Sequence, residues 1–139
     1  MNKYNELQAK HSKELNAFPI GFAFSNKQFE EMKEKLGVKS DDELLRVYGG
    51  GFIKKTDKDW YNGLLIRWAN ESNRAENDDE YLYQGFLYEL GNHEYCYTGD
   101  PEQTLDCFGL TIDEVNSDER LKRIFKEARS AYYEISKDY

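Results

Sequence analysis

The fifteen residues Asn77-Asp-Asp-Glu-Tyr-Leu-Tyr-Gln-Gly-Phe-Leu-Tyr-Glu-Leu-Gly91 contain a whole helix with its punctuation. Asn77 can accept from the orphan N–H groups of a first turn, and Glu80, three positions on, can reach back to the cap. Leu82, Phe86, Leu87 and Leu90 then recur at helical spacing, and Gly91 stands where a helix stops. The same start signal, a capping side chain followed at the third position by Gln, Glu or Asp, appears six more times. The pairs are Ser25/Gln28, Ser40/Glu43, Thr56/Asp59, Asp100/Gln103, Thr111/Glu114 and Asn116/Glu119. So many starts in 139 residues predict a mainly α protein, a compact bundle of about six or seven short helices.

Working outward, 3–17 reads as an amphipathic helix through Tyr4, Leu7, His11 and Leu15, closed by Pro19 and Gly21. Ser25 opens a helix to Leu36, with Phe29 and Met32 inward, and a short helix is expected from Asp41 to Val47. Thr56 opens a longer one, striped by Trp60, Tyr61, Leu64, Leu65 and Trp68. Asp100-Pro101 is a strong entry, a cap followed by proline at the first helical position. A single turn follows Thr111, and the last helix covers 118–136 through Leu121, Ile124, Phe125, Ala128, Tyr132 and Ile135. The segments 20–24, 51–54 and 94–98 alternate and read as extended, enough for a two- or three-stranded β-ribbon and an α+β description. No repeat or linker interrupts the chain, so 1–139 reads as a single helical domain.

Length alone permits a core without staples. Two cysteines, Cys96 and Cys107, fit a reducing compartment, and with no apolar run near 18 residues the expectation is cytoplasmic, without export or membrane insertion. Net charge is −8, distributed unevenly: residues 1–39 sum to +2, 40–119 to −13 and 120–139 to +3. That pattern excludes a nucleic-acid backbone as direct ligand, which requires concentrated positive charge. Two readings remain open. Basic ends can cover an acidic centre within the molecule, or the acidic centre can dock on the basic surface of a partner protein, such as one that binds nucleic acid.

For the second reading the candidate contact residues are Asp78, Asp79, Glu80, Tyr81, Tyr83, Glu94, Tyr95 and Tyr97, an acid-and-tyrosine surface able to grip a Lys/Arg-rich groove as DNA mimics do. Phe52 and Lys54, beside the glycines Gly49, Gly50 and Gly51, are added as a turn that presents side chains outward. Those glycines loosely echo a phosphate-binding loop, but Lys54 occupies the place of the second glycine. No cofactor is expected. An enzymatic alternative centres on Glu89, His93 and Glu94, with Cys96 and Asp100 nearby, as metal ligands or an acid/base set. Against it, Gly91 is expected to break the helix between Glu89 and His93. No serine-nucleophile motif and no paired-cysteine zinc spacing is present, so no catalytic residue is assigned.

The block Phe18–Leu36, with Gly49–Lys55 and Tyr88–Thr98, resembles a family of small uncharacterised acidic proteins of low-GC Gram-positive bacteria and their phages and mobile elements. The resemblance carries no functional residues. It implies a setting in which small accessory proteins bind and disable a host factor, including defence nucleases of the CRISPR or restriction type.

Overall fold

The structure, a computed structural model, describes residues 2–47 and 50–137. The chain is mainly helical: α1 (Lys3–Ala17), α2 (Asn26–Leu36), β1 (Leu44–Arg46), β2 (Phe52–Lys54), α3 (Lys58–Ala75), α4 (Asp79–Asn92), α5 (Tyr95–Thr98), α6 (Glu102–Asp106), α7 (Ile112–Ser117) and α8 (Glu119–Ser136). No helix among the described residues is long and apolar enough to cross a membrane. Internal contacts divide the chain into two compact units, one formed by 1–7 with 72–139 and the other by 8–71.

The first unit, unit 1, is organised by α4 against α8. Both helices are amphipathic at a period of about 3.6 residues, so their apolar stripes meet. Leu82, Phe86 and Leu90 face Ile124, Phe125, Ala128 and Tyr132, with Leu105, Phe108, Val115 and Tyr4 closing the core. The Phe86 ring is fully buried and meets Phe108 and Phe125 edge-on, at centroid distances of 4.8 and 5.2 Å. Gly85 sits in the middle of α4 because a Cβ there would come within 2.7 Å of both the Phe108 and Tyr4 rings. The expected helix starts hold in part: Ser25 caps α2, Thr56 lies in a 3₁₀ turn (Lys55–Asp57) ahead of α3 instead of capping it, and α6 begins at Glu102 after Pro101, with Asp100 accepting from the Glu102 N–H. Thr111 and Glu114 form a complete capping box, whereas Asp78 rather than Asn77 caps α4 and Asp118 rather than Asn116 caps α8.

The second unit, unit 2, holds two smaller clusters, Phe18/Ile53/Tyr61/Leu64 and Met32/Val38/Leu44. Strands β1 and β2 pair antiparallel, Leu44 opposite Lys54, Leu45 opposite Ile53 and Arg46 opposite Phe52. Two expectations are corrected here. Residues 41–47 form one 3₁₀ turn, Asp41–Glu43, and then β1 instead of a helix. Ser40 and Glu43 do satisfy a local start, accepting from the N–H groups of Asp42 and Lys39, but Leu44–Arg46 find their backbone partners across the hairpin. Of 20–24, only Gly21 is bridged to β2, opposite Phe52. Gly50 takes a positive φ of 84° in the connecting turn, so Gly50 serves a hairpin. Gly49 lies outside the described residues.

The third correction falls in unit 1. Residues 95–98 are the single helical turn α5, not a strand. Glu94 adopts a left-handed φ of 53°, breaks the α4 path, and lets the chain restart with Gly99 N–H donating to the Tyr95 carbonyl.

Candidate functional site

Helix α4 does not stop at Gly91; it runs through Asn92, and His93 is its C-cap. Glu89 and His93 therefore lie one turn apart on one face, and His93 Nε2 is 3.1 Å from Glu89 Oε2. The short α6 packs on α4 and brings Cys107, the residue after its last turn, to the same place. Cys107 Sγ lies 3.3 Å from Glu89 Oε2 and 3.5 Å from His93 Nε2. Two further donors fix the carboxylate: Tyr4 Oη to Oε1 at 2.8 Å, and Asn92 Nδ2 to Oε2 at 3.3 Å. The result is a partly covered array of one imidazole, one thiol and one carboxylate, all in unit 1.

Glu89 is only 6% exposed, and no Lys or Arg among the described residues pairs with it. A carboxylate removed from water normally has a permanent cation or a full set of donors. Here a phenol, a thiol, an amide and an imidazole do the work. Burial, and then the adjacent Glu89, push the Cys107 thiol up to about 12. The same two influences push the Tyr4 phenol upward. A thiol so held is a poor nucleophile at neutral pH, and covalent catalysis by Cys107 has no support.

Other candidate residues disperse. Glu94 is exposed and does not join Glu89 and His93; Cys107 takes that place. Cys96 is exposed and its backbone N–H donates to Tyr132 Oη. Asp78 and Glu80 are paired with Lys3 at 2.7 and 3.1 Å, and Asp79 with Arg120 at 2.6 Å and Arg123 at 3.0 Å. The Lys3 ammonium holds the Asp78 carboxyl below the usual range. At these three positions the basic ends do cover the acidic centre. Tyr81 and Tyr95 are core residues, because the helical stripe turns them inward, and present no ring to a partner. Tyr83 is half-buried, while Tyr97 is 83% exposed. Phe52 and Lys54 are half-buried strand residues of unit 2.

A second feature of unit 1 is electrostatic. Between Arg74 and Arg120 the sequence holds 13 Asp and Glu and no Lys or Arg. Beyond those at 78–80 and Glu89, none of these carboxylates makes an ion pair among the described residues. Asp100, Glu102 and Asp106 border one cleft of about 380 Å³ whose remaining wall is Pro101, Leu110, Thr111 and Ile112.

Fold and site together define a small, mainly helical α+β protein with an acidic unit and a partly covered Glu–His–Cys array around the buried Glu89. The chain belongs to the family of unknown function DUF7659, whose model matches residues 3–131. No curated protein and no solved structure matches it.

Proposed function

We propose that this is a non-enzymatic, cytoplasmic protein-binding protein that docks through the acidic face of unit 1 on a basic surface. What carries the reading is the Asp100/Glu102/Asp106 cleft, three carboxylates beside a largely apolar wall, with no Lys or Arg among the described residues paired to them. A lysine or arginine side chain suits that combination, laying its aliphatic stem on Leu110 and Ile112 and its charged head among the carboxylates. The exposed Tyr97 ring adds the amphipathic area that hot spots favour. This places the contact at 97–112, away from Asp78, Asp79 and Glu80, whose charge is already met.

A basic, nucleic-acid-binding protein is the partner this surface fits. The setting implied by the resemblance of 18–36, 49–55 and 88–98 makes that partner a host factor, such as a defence nuclease disabled by a phage or mobile-element inhibitor. The test is capture of a partner from lysate of a low-GC Gram-positive host at low salt, followed by variants of the bait. Glu102→Lys with Asp106→Lys should abolish retention, Glu31→Lys in unit 2 should leave it, and raising ionic strength should weaken it steeply. Retention indifferent to salt, or to reversal at 102 and 106, removes the proposal.

A further inference from the structure

The separations within the Glu89–His93–Cys107 array are hydrogen-bond lengths that also come close to those between ligands of a single metal ion. The three donor atoms, one nitrogen, one sulfur and one oxygen, all lie within 4.8 Å of one another. A tetrahedral zinc ion, with bonds of about 2.0–2.1 Å to nitrogen, about 2.0–2.2 Å to oxygen and about 2.3 Å to sulfur, spaces its ligands in a defined way. The edges come to roughly 3.4 Å for N–O and roughly 3.6 Å for S–N and S–O. Here they are 3.1 Å for His93 Nε2 to Glu89 Oε2, 3.5 Å for Cys107 Sγ to His93 Nε2, and 3.3 Å for Cys107 Sγ to Glu89 Oε2. A movement of a few tenths of an ångström opens the triangle around an ion.

We infer that Glu89, His93 and Cys107 bind one divalent transition-metal ion of the zinc class, with the fourth position left to water. Three observations converge on this. Glu89 is a buried carboxylate without a permanent cation, and a metal ion supplies the missing charge. Its other oxygen is already fixed by the Tyr4 hydroxyl, the kind of outer hydrogen bond that orients a ligating carboxylate. Mixed imidazole, thiolate and carboxylate donors favour zinc over magnesium or calcium, which take oxygen alone. The site is independent of the docking face: its ligands are not among the residues around the acidic cleft, and either can fail without the other.

The measurement is metal content of the purified full chain after loading with Zn²⁺ and desalting, together with the spectrum of the Co²⁺-substituted protein. About one equivalent should be retained, and a thiolate-to-cobalt charge-transfer band in the near ultraviolet should appear. Cys107→Ser should abolish that band and His93→Gln should abolish stoichiometric retention, while Cys96→Ser should change neither. Tyr4→Phe, which keeps the ring, should weaken affinity by about 10–100-fold. Far-UV circular dichroism confirms that each variant is folded. Should Glu89→Gln fail to fold, the exposed Cys107 and half-exposed His93 variants decide the matter. Folded wild-type protein that retains no zinc overturns the inference, as does a cobalt band lost equally on Cys96→Ser and Cys107→Ser.

Discussion

The two units are built from the same alphabet to different specifications. Unit 1 carries 17 acidic side chains against 8 Lys and Arg, whereas unit 2 carries 10 against 11. The whole net charge of the chain therefore resides in unit 1. Unit 1 also has a single continuous core of thirteen buried residues, while unit 2 divides its apolar interior into clusters of four and three. Both units leave large apolar side chains exposed: Phe22, Phe24, Trp60, Leu65 and Ile66 in unit 2, and Tyr88, Tyr97, Ile112, Tyr133 and Ile135 in unit 1. A net charge far from zero costs stability through self-repulsion, a cost that falls on unit 1, while unit 2 is close to neutral. The net negative charge and the larger continuous core occur in the same unit.

That comparison can be broken at its strongest point. Phe86→Ala removes the ring at the centre of the unit 1 core and should cost about 3–5 kcal/mol, read from thermal or urea unfolding followed by far-UV circular dichroism. Both tryptophans, Trp60 and Trp68, belong to unit 2, so their fluorescence reports that unit alone. If tryptophan fluorescence in Phe86→Ala shifts by as much as the dichroism, the units unfold as one and their separate cores are not separate in energy. The reciprocal variant, Ile53→Ala at the fully buried centre of the hairpin, should cost about 2–5 kcal/mol and move the fluorescence transition first.

A smaller effect sharpens the account of unit 1. Alanine at Gly85 gains about 1 kcal/mol of helix propensity. Against that stands a Cβ at 2.7 Å from two aromatic rings, and overpacking of this kind costs about 1–3 kcal/mol. The expected outcome of Gly85→Ala is a net loss of up to about 2 kcal/mol in the dichroism transition. A gain in stability would show that Tyr4 and Phe108 can move aside, and that the close approach of α1 residue Tyr4 to α4 is loose.

How far the sequence foretold this can be seen at particular residues. Helical periodicity and start signals found α1, α2, α3, α4, α6, α7 and α8, because those signals are local and redundant along a helix. Residues 41–47 and 95–98 defeated the same rules for opposite reasons. At Leu44–Arg46 a valid cap was outweighed by pairing across the hairpin, a non-local partner no window can see. At Tyr95–Thr98 an alternating pattern concealed a helical turn that depends on a left-handed Glu94. The site was half legible: Glu89 and His93 stand four apart, but Gly91 suggested a break that does not occur, since glycine weakens a packed helix without ending it. Cys107 was invisible, fourteen residues from His93, until α6 packs on α4.

The smallest effect concerns charge in unit 2, where a single carboxylate does what the acidic run of unit 1 leaves undone. Glu71 accepts from His11 Nε2 and Lys10 Nζ, both at 3.0 Å, and from Arg67 at 3.0 Å; His11 in turn stacks on Trp68 at 5.2 Å. The hydrogen bond to His11, with those to Lys10 and Arg67, holds the Glu71 carboxyl down to about 2, against 4.5 for the free group. A folded-state value below the unfolded one means the contribution is complete above pH 4.5 and is lost as pH falls from 4.5 toward 2. Glu71 is only partly shielded from solvent, so screening keeps the loss small. Tryptophan-detected stability should therefore fall through that window in the wild type and fall less in Glu71→Gln. Equal slopes would show that the cluster is bystander geometry, and that unit 2 owes its acid sensitivity to other carboxylates.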